Sequence, residues 1–274
     1  MFLSVLPLRH RDAHKGSFGS VAIIGGDTGM VGAVLLAARA ALYCGTGRIY
    51  AAMLSASAPA IDVCHPEIML RSPAAIAQLP QLDSVVIGPG LGQSQPAIEL
   101  LEFWLVKDKL LLLDADALNL IASYPHLTTM VKNRNAETVI TPHAGEAARL
   151  LATSSEHIQK NRTENALKLA QSLQVTCVLK GADTVCAQHD GRSFVNTSGN
   201  VGLASGGTGD VLSGIIGSLM AQGLTGLEAA KLGVYAHGAA ADVLVQKGVG
   251  PIGLTASEVS LEVRNVINQL NRCR

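Results

Sequence analysis

The stretch Ser205-Gly206-Gly207-Thr208-Gly209-Asp210 is followed at once by the apolar run Val211-Leu212-Ser213-Gly214-Ile215-Ile216. Its glycines permit a tight turn in which backbone N–H groups come close to a ligand, and the apolar run predicts a buried helix that begins at the turn. A helix N-terminus carries a partial positive charge, so this turn is suited to binding a phosphate group. A glycine-rich turn that opens a buried helix is typical of an α/β protein with an anion site.

Asp210 closes this turn, and its carboxylate has two interpretations. An acidic residue at the start of a helix can simply cap the first helical turn. Three glycines within the four preceding residues are more than a cap requires, however. A carboxylate beside a phosphate site can instead take the proton from a hydroxyl that attacks the phosphoryl group. We favour the base, with the N–H groups of residues 206–209 stabilising charge on that group.

Around this turn, short runs rich in β-branched residues alternate with longer segments rich in alanine and leucine. The alternation predicts an α/β fold with a mostly parallel central sheet and helices on both faces, because the strands are apolar throughout. The predicted strands are 21–25, 48–53, 85–87, 110–113, 138–140 and 175–179, with a hairpin of 185–187 and 193–195. The predicted helices are 31–44, 97–107, 145–151, 158–173, 210–222, 227–245 and 256–270.

Glycine or polar clusters directly follow four of the predicted strands, at 25–29, 88–92, 114–116 and 141–143. Ligands of open α/β sheets bind at the carboxyl ends of the strands. We therefore expect these clusters and the 205–210 turn to converge on one site.

Composition limits the class of protein. Lys plus Arg and Asp plus Glu both number 21, so nothing draws the chain toward nucleic acid or an anionic membrane, and a small-molecule partner is expected. No linker or composition shift divides the 274 residues, which predicts a single domain over 1–274.

The termini and the cysteines indicate a cytoplasmic protein without a membrane segment. The apolar segment 1–8 is short and precedes its basic residues, unlike a signal peptide, and no apolar run reaches the roughly 18 residues that a spanning helix needs. The five cysteines are odd in number and form no CxxC pair, which argues against a disulfide framework and a structural zinc site.

The 205–210 turn matches the GxGD signature of the ribokinase-like fold. Its flanks, 200–204 and 211–214, resemble one branch of that fold, the ADP- or ATP-dependent NAD(P)H-hydrate dehydratases. Motifs similar to those of the branch recur over about 6–263, at 15–16, 25–27, 32–33, 88–92, 114–119, 141–146 and 180–182. One departure is Ala144, which stands where the family's TPHPGE motif has its second proline.

Members of that family restore hydrated NADH or NADPH by removing water. The resemblance implies an adenine nucleotide and Mg²⁺ as cofactors, phosphorylation of the ring hydroxyl and loss of phosphate, with Asp210 as the base. It implies nucleotide binding by Lys180, Gly181, Ala182, Asp183, Thr184, Gly206, Gly207, Thr208 and Gly209. It also implies that Ala33, Gly92, His143 and Asp210 bind the hydrated coenzyme.

The resemblance, together with the Ala-rich helices, also suggests a homo-oligomer such as a tetramer. Family members are often fused to an epimerase domain, and we expect that activity on a separate protein or domain.

Three of the polar clusters keep alternative interpretations. Lys180 is either a phosphate contact or a solvated charge at a strand end. His143 either contacts the substrate or caps the helix that follows it. The carboxylates of Asp114 and Asp116 either share one face of an extended chain and help to hold magnesium, or Asp116 caps the next turn. No residue is assigned as a metal ligand.

Three other functions fit parts of the sequence. A hydride-transferring dehydrogenase is disfavoured, because 21–32 lacks the GxGxxG spacing and no acidic residue ends the second strand. A kinase of the same fold that phosphorylates a vitamin precursor alcohol or a sugar would keep Asp210 and the anion site, but not the TPHxGE, DADALN and GPGLG set. A catalytically silent nucleotide-binding module is the third alternative.

Overall fold

A computed structural model of the protein describes residues 9–272. The apolar segment 1–8 and Cys273, on which the signal-peptide and cysteine arguments partly rest, lie outside the described residues. The strands within this range are β1 Ser20–Gly25, β2 Arg48–Met53, β3 Met69–Leu70, β4 Ser84–Ile87, β5 Leu110–Leu113, β6 Thr138–Ile140, β7 Thr176–Leu179, β8 Thr184–Gln188 and β9 Ser193–Asn196.

The helices within the described range lie between these strands, singly or in groups, and after the last of them. They are α1 Val31–Tyr43, α2 Pro73–Ala77, α3 Gln95–Leu105, α4 Asp116–Ser123, α5 Pro125–Lys132, α6 Ala144–Leu150, α7 Ser155–Lys160, α8 Arg162–Leu173, α9 Thr208–Ala221, α10 Gly226–Gln246 and α11 Ala256–Arg272. Short 3₁₀ helices cover Lys15–Phe18 and Val201–Leu203. None of the helices in this part of the chain has the length and apolarity needed to cross a membrane.

All the strands join one sheet in the order β3-β2-β1-β4-β5-β6-β7-β8-β9. Strands β1 to β7 run parallel, whereas β8 and β9 form an antiparallel hairpin at one edge. The chain passes from β1 outward to β2 and β3, and then returns to place β4 on the other side of β1. Such a reversal opens a crevice between the carboxyl ends of β1 and β4.

Helices cover both faces of the sheet, as expected for strands that are apolar throughout. On one face, α1, α9, α10 and α11 pack against the side chains of Val21, Ile23 and Val86. On the other face, α2 to α8 pack against Ala22, Ile24 and Val85. The two sets alternate along each strand because successive side chains of a strand point to opposite faces.

The predicted elements agree with the structure at most positions, and the differences have local causes. The helix predicted over 158–173 is divided at Asn161, which leaves the helical backbone conformation (φ −130°, ψ 50°) between α7 and α8. Residues 116–132 were not predicted to be helical, but they form α4 and α5. Tyr124 separates these two in an extended conformation, and Pro125 begins α5, a position at which proline is favoured. Strand β3 and helix α2 are too short for a recognisable period.

Helix α9 is the most deeply buried helix of its face, and glycine allows it to lie there. A Cβ atom built on Gly214 would fall 2.0 Å from the carbonyl oxygen of Ala37 in α1, so the two helices meet backbone to backbone. Four alanines of α1 are buried on this side, at positions 37, 38, 40 and 41. The close packing fixes the direction of α9 and therefore the place of its first turn.

Replacing Gly214 with alanine tests this constraint. The added methyl has no room, so we expect Gly214→Ala to lower the free energy of unfolding by about 1–3 kcal/mol and the Tm by several degrees. In the control Gly32→Ala, which lies in α1 with nothing within 4 Å of the added carbon, the substitution should be neutral or stabilising. Equal thermal melts for the two variants would contradict the close contact.

Candidate active site

The glycine and polar clusters predicted to converge do lie together at the carboxyl edge of the sheet. Backbone hydrogen bonds join the loop after β1 to the loop after β4, from Gly26 N to Pro89 O (3.0 Å) and from Asp27 N to Gly90 O (2.7 Å). Another joins the ends of β6 and β7, from Lys180 N to Pro142 O (2.8 Å). The loops thus form one connected rim around the first turn of α9.

The Lys15-Gly16 motif lies elsewhere, at the opposite edge of the sheet. A Cβ atom on Gly16 would lie 3.8 Å from the guanidinium of Arg48, the first residue of β2, and one on Gly47 would fall 1.7 Å from the carbonyl oxygen of Lys15. This motif therefore packs the amino ends of the strands and does not join the rim.

A buried ion pair lies at the centre of the rim. Lys180, directly after β7, donates from Nζ to Asp114 Oδ1 at 2.6 Å, and Ser213 of α9 donates from Oγ to Asp114 Oδ2 at 2.6 Å. The side chain of Asp114 is 1% exposed and that of Lys180 is 18% exposed. Burial tends to lower the pKa of Lys180, but the charges of Asp114 and Glu146 outweigh it, so that its pKa is raised and it stays protonated. Lys180 is a fixed cation rather than a solvated one.

Asp116 is placed differently from Asp114. Ala115, between them, has a positive φ of 50° and is the N-cap of α4, so the chain is not extended here and the shared-face argument fails. The carboxylate of Asp116 accepts a hydrogen bond from Gly92 N at 2.9 Å and ties β5 to the glycine loop after β4. Across residues 9–272, no group of three or more His, Cys, Asp or Glu side chains is arranged to hold a metal ion.

Asp210 is the third residue of α9 and not its cap. Gly207 occupies the N-cap position with a left-handed backbone (φ 87°) and provides no side-chain cap. The hydroxyl of Thr208 bonds back to the carbonyl groups of Leu203 (2.8 Å) and Ser205 (2.9 Å), which closes the turn. Without a side-chain cap, the N–H groups of the first turn of α9 remain suited to an anion.

The carboxyl of Asp210 has a pKa raised to about 6. Burial is the main cause, the negative charge of Asp114 adds to it, and the ammonium of Lys180 partly offsets it. A carboxyl with such a pKa is ionised at neutral pH, but holds a proton far better than an ordinary aspartate. That property suits a group that accepts a proton during a reaction.

His143 and Glu146 form a reciprocal cap at the start of α6. His143 Nδ1 accepts hydrogen bonds from Gly145 N (2.9 Å) and Glu146 N (3.3 Å), while His143 N donates to Glu146 Oε2 (2.8 Å). Burial and the nearby Lys180 lower the pKa of His143, so its imidazole is neutral at pH 7. The capping interpretation of His143 is confirmed, and 54% of its side chain is still exposed to a ligand.

Glu146 belongs to the 141–146 motif, but the sequence alone indicated no role for its side chain. Its side chain is 5% exposed, and burial raises its pKa to about 7. A glutamate three residues after a potential cap was the signal for this position.

A cavity of about 550 Å³ opens beside the first turn of α9. The segment from Lys180 to Thr184 lines one wall, and the segment from Asn196 to Ala204 lines the other. Thr208 and Gly209 of α9 and His237 of α10 contribute to the rest of its lining. The five positions 180–184 and the α9 turn, separated by some 25 residues in sequence, thus share one cavity.

Several residues of this cavity have no counterpart in the sequence argument. His237 is buried with its Nε2 atom unpaired among the described residues, and burial lowers its pKa to about 4. Asn196 and Ser198 also line the cavity, as does Asn200, which the sequence supplied only as part of the family-like flank 200–204. Helical spacing brings Ser213 close to Asp210, but only the folded sheet reveals its bond to Asp114.

Comparison with known proteins gives consistent matches. The profile of the NAD(P)H-hydrate dehydratase family matches residues 21–263. The ADP-dependent (S)-NAD(P)H-hydrate dehydratase of Neisseria meningitidis is 40% identical, over 99% of this chain and 92% of its own length. The chain spans about half the length of the bifunctional NAD(P)H-hydrate repair enzymes that it matches.

Solved structures agree with these relatives. The ADP/ATP-dependent NAD(P)H-hydrate dehydratase of Bacillus subtilis, co-crystallised with ATP and Mg²⁺, superposes with a TM-score of 0.85 at 30% identity, covering 97% of this chain and 94% of that one. A ribokinase-like superfamily protein of Enterococcus faecalis superposes with a TM-score of 0.81 at 27% identity, covering 97% and 92%. The expected ribokinase-like fold is confirmed.

The raised pKa of Asp210 predicts a pH-dependent cost in stability. The folded protein binds this proton more tightly than the unfolded chain, so stability falls as pH rises from about 4 to about 6. We expect Asp210→Asn to raise the free energy of unfolding by about 1–2 kcal/mol at pH 8, with the gain vanishing near pH 4. Denaturant titrations at both pH values measure it, with the exposed Asp12→Asn as control; a gain that persists at pH 4 would contradict the assignment.

Proposed function

The chain belongs to the NAD(P)H-hydrate dehydratase family, and we propose that it removes water from hydrated NADH or NADPH at the expense of ADP or ATP. The observation that carries this proposal is the placement of Asp210. Its partly buried carboxyl lies in the first turn of α9, within electrostatic reach of the Lys180–Asp114 pair and beside a cavity large enough for a nucleotide.

The proposed reaction has two stages. Asp210 takes the proton from the ring hydroxyl, whose oxygen forms a bond to the terminal phosphorus of the nucleotide. The bond from that phosphorus to the rest of the nucleotide breaks, which releases AMP from ADP or ADP from ATP. The ring carbon–oxygen bond then breaks, phosphate leaves, and the adjacent carbon loses a proton to restore the double bond. Phosphate is a far better leaving group than hydroxide, which explains why a dehydration uses a nucleotide.

We assign the phosphate-binding role to the α9 turn, with Gly206, Gly207, Thr208 and Gly209 providing N–H groups and the helix its positive end. Lys180 adds a fixed positive charge, since Asp114 holds its ammonium at 2.6 Å. Residues Gly181, Ala182, Asp183 and Thr184 continue from it along the wall of the cavity, where the adenosine part of the nucleotide would lie.

Magnesium is proposed as a companion of the nucleotide. In the described residues the carboxylates do not form a metal cage, and both oxygens of Asp114 are already bonded. Mg²⁺ usually reaches such sites on substrate phosphates and keeps several waters. We therefore assign no protein residue as a dedicated ligand.

The hydrated coenzyme is assigned to the other side of Asp210, against Ala33, Gly92 and His143. Gly92 is held by Asp116, and Ala33 lies beside Gly90 of the same glycine loop. The neutral imidazole of His143 can form a hydrogen bond to this substrate without adding a charge. A neutral imidazole can thus orient the hydrated nicotinamide ring without placing a full charge beside it.

We propose a single catalytic domain in a cytoplasmic homo-oligomer such as a tetramer. Bifunctional relatives combine repair activities in one chain about twice as long. Epimerisation of the hydrate is accordingly assigned to a separate protein or domain.

The competing kinase function is less well supported. A small-molecule kinase of this fold would keep Asp210 and the α9 turn, but the curated relative at 40% identity over nearly the whole chain is a dehydratase. The two functions differ in product, because a kinase leaves a stable phosphate ester whereas the dehydratase regenerates the reduced nicotinamide.

Absorbance at 340 nm measures that regenerated ring. Wild-type protein with hydrated NADH, Mg²⁺ and ADP or ATP should give a nucleotide-dependent rise. Asp210→Ala should lower turnover by about 10²- to 10⁴-fold while still binding nucleotide, since a general base is lost. Comparable turnover in the variant would remove Asp210 from that role, and no rise with either nucleotide from folded wild type would favour the kinase.

The pH dependence of kcat/KM provides an independent check. Because the base must be ionised and its pKa is about 6, activity should fall as pH drops below about 6 and not only below the ordinary aspartate value of 3.8. In Asp114→Asn, the nearby negative charge that raises this pKa is gone, so the acidic limb should move to lower pH. Burial, the larger cause of the raised pKa, remains in the variant, so the limb should move only part of the way toward the ordinary aspartate value; a limb that does not move would contradict the contribution of Asp114 to the pKa of Asp210.

A further inference from the structure

One face of α10 supports the far wall of the nucleotide cavity. The wall segment 196–202 lies across this face, and it contacts α10 at the carbonyl groups of Val234 and Tyr235, at Gly238 and at the side chain of Asp242. These positions follow one another at helical spacing. We call the segment 196–202 the wall loop.

Asp242 uses both carboxylate oxygens to hold the wall loop. Oδ2 accepts from Gly199 N at 2.8 Å, and Oδ1 accepts from Asn200 Nδ2 at 2.8 Å. The amide oxygen of Asn200 in turn accepts from Gly202 N at 3.0 Å. A single carboxylate thereby holds Gly199 and Asn200 directly and Gly202 through the Asn200 amide, because it can accept at both oxygens, which no neutral side chain of this size can do.

Gly238 brings the loop and the helix into backbone contact. A Cβ atom at this position would lie 2.3 Å from Ser198 Oγ and 2.6 Å from the Ser198 carbonyl oxygen. Ser198 Oγ also donates to Tyr235 O at 3.2 Å. The loop therefore packs directly on the backbone of α10, and Asp242 bonds to the part of the loop that leads toward the α9 turn.

The location of Asp242 argues for geometry rather than charge as its purpose. A negative side chain beside a site for phosphate groups weakens anion binding by repulsion. It is expected there only if the order that it gives the wall loop favours binding by more than the repulsion opposes it. The loop that it fixes leads directly into Leu203 and Ser205, whose carbonyl groups hold Thr208 at the start of α9. A displacement of the wall loop would therefore also displace the anion-binding turn of α9.

We propose that Asp242 is a positioning residue for the adenine nucleotide, which holds the wall loop and the α9 turn in the shape that binds it. The proposal rests on the proposed nucleotide dependence, but not on the dehydration chemistry. Asp242 has no contact with the reacting atoms and acts through Gly199 and Asn200.

The exchange of two side chains tests this role. In Asp242→Asn, an amide NH₂ group must face either Gly199 N or the amide of Asn200, so one part-buried donor loses its acceptor. The dissociation constants for ADP and ATP should rise by about 10- to 100-fold, the usual effect of losing a hydrogen bond to a charged group. In the double variant Asp242→Asn with Asn200→Asp, the donor and acceptor of the pair are exchanged and both oxygens of residue 200 accept, so binding should return to within about 3-fold of wild type.

Isothermal titration of ADP and ATP into each folded variant gives the constants, and thermal melts establish that each variant is folded. The KM for nucleotide should rise with the dissociation constant, while the KM for hydrated NADH stays near the wild-type value. Asp190→Asn, in the exposed turn between β8 and β9, removes one negative charge without touching the loop and should bind as wild type. Asn200→Ala, which keeps the Gly199 bond, should give an intermediate loss and replaces Asp242→Asn if that variant does not fold.

Wild-type affinity in folded Asp242→Asn would overturn the proposal, as would a double variant that folds but shows no recovery. Wild-type protein that binds neither ADP nor ATP would overturn it as well. Loss and recovery of binding in a protein that fails to regenerate NADH would uphold the role of Asp242 and reject the dehydratase function instead.

Discussion

The carboxylate of Asp114 is the interaction on which the site depends. Asp114 directly follows β5, accepts a hydrogen bond from the ammonium of Lys180 at the end of β7, and accepts another from the hydroxyl of Ser213 in α9, both at 2.6 Å. Three separate elements therefore meet at one buried anion. Removing two opposite charges from water is costly, and such a pair persists more readily where further hydrogen bonds stabilise it, as the Ser213 hydroxyl does for the second oxygen of Asp114. The result is a positive charge held in a fixed place beside the start of a helix whose own N-terminus is positive.

Asp210 acquires its properties from this arrangement. Close backbone packing of α9 on α1 at Gly214 places the first turn of α9 at the carboxyl edge of the sheet, and Ser213 prevents it from moving away from Asp114. The same closeness raises the pKa of Asp210, because its carboxyl is partly buried and lies near a second negative charge, that of Asp114. A strained electrostatic environment of this kind reduces stability and is retained where a reaction needs it. Behind the turn, Asp242 and Gly238 of α10 fix the opposite wall of the cavity.

The sequence predicted the parts that depend on local pattern. Runs of apolar residues identified β2, β5 and β6 at their observed bounds, and the glycine spacing located the α9 turn. Both patterns depend only on residues that are neighbours in the sequence. The sequence did not predict that the side chains of Asp114 and Asp116 would take different positions, because a positive φ at a non-glycine residue such as Ala115 has no sequence signature. Nor did it predict the bonds from Ser213 to Asp114 or from Asp242 to Asn200, which join residues 99 and 42 positions apart. Family resemblance supplied roles for the motif residues, whereas the supporting contacts required the structure.

The central claim is that the ring hydroxyl leaves as phosphate, after attack on the nucleotide at the α9 turn. Hydrated NADH labelled with ¹⁸O in that hydroxyl tests it most directly, with mass analysis of the phosphate released during a reaction with unlabelled ADP or ATP. Transfer of the phosphoryl group to the hydroxyl predicts one ¹⁸O atom in each phosphate formed. Unlabelled phosphate, with the ¹⁸O found in water, would show that the hydroxyl departs on its own and would contradict the account.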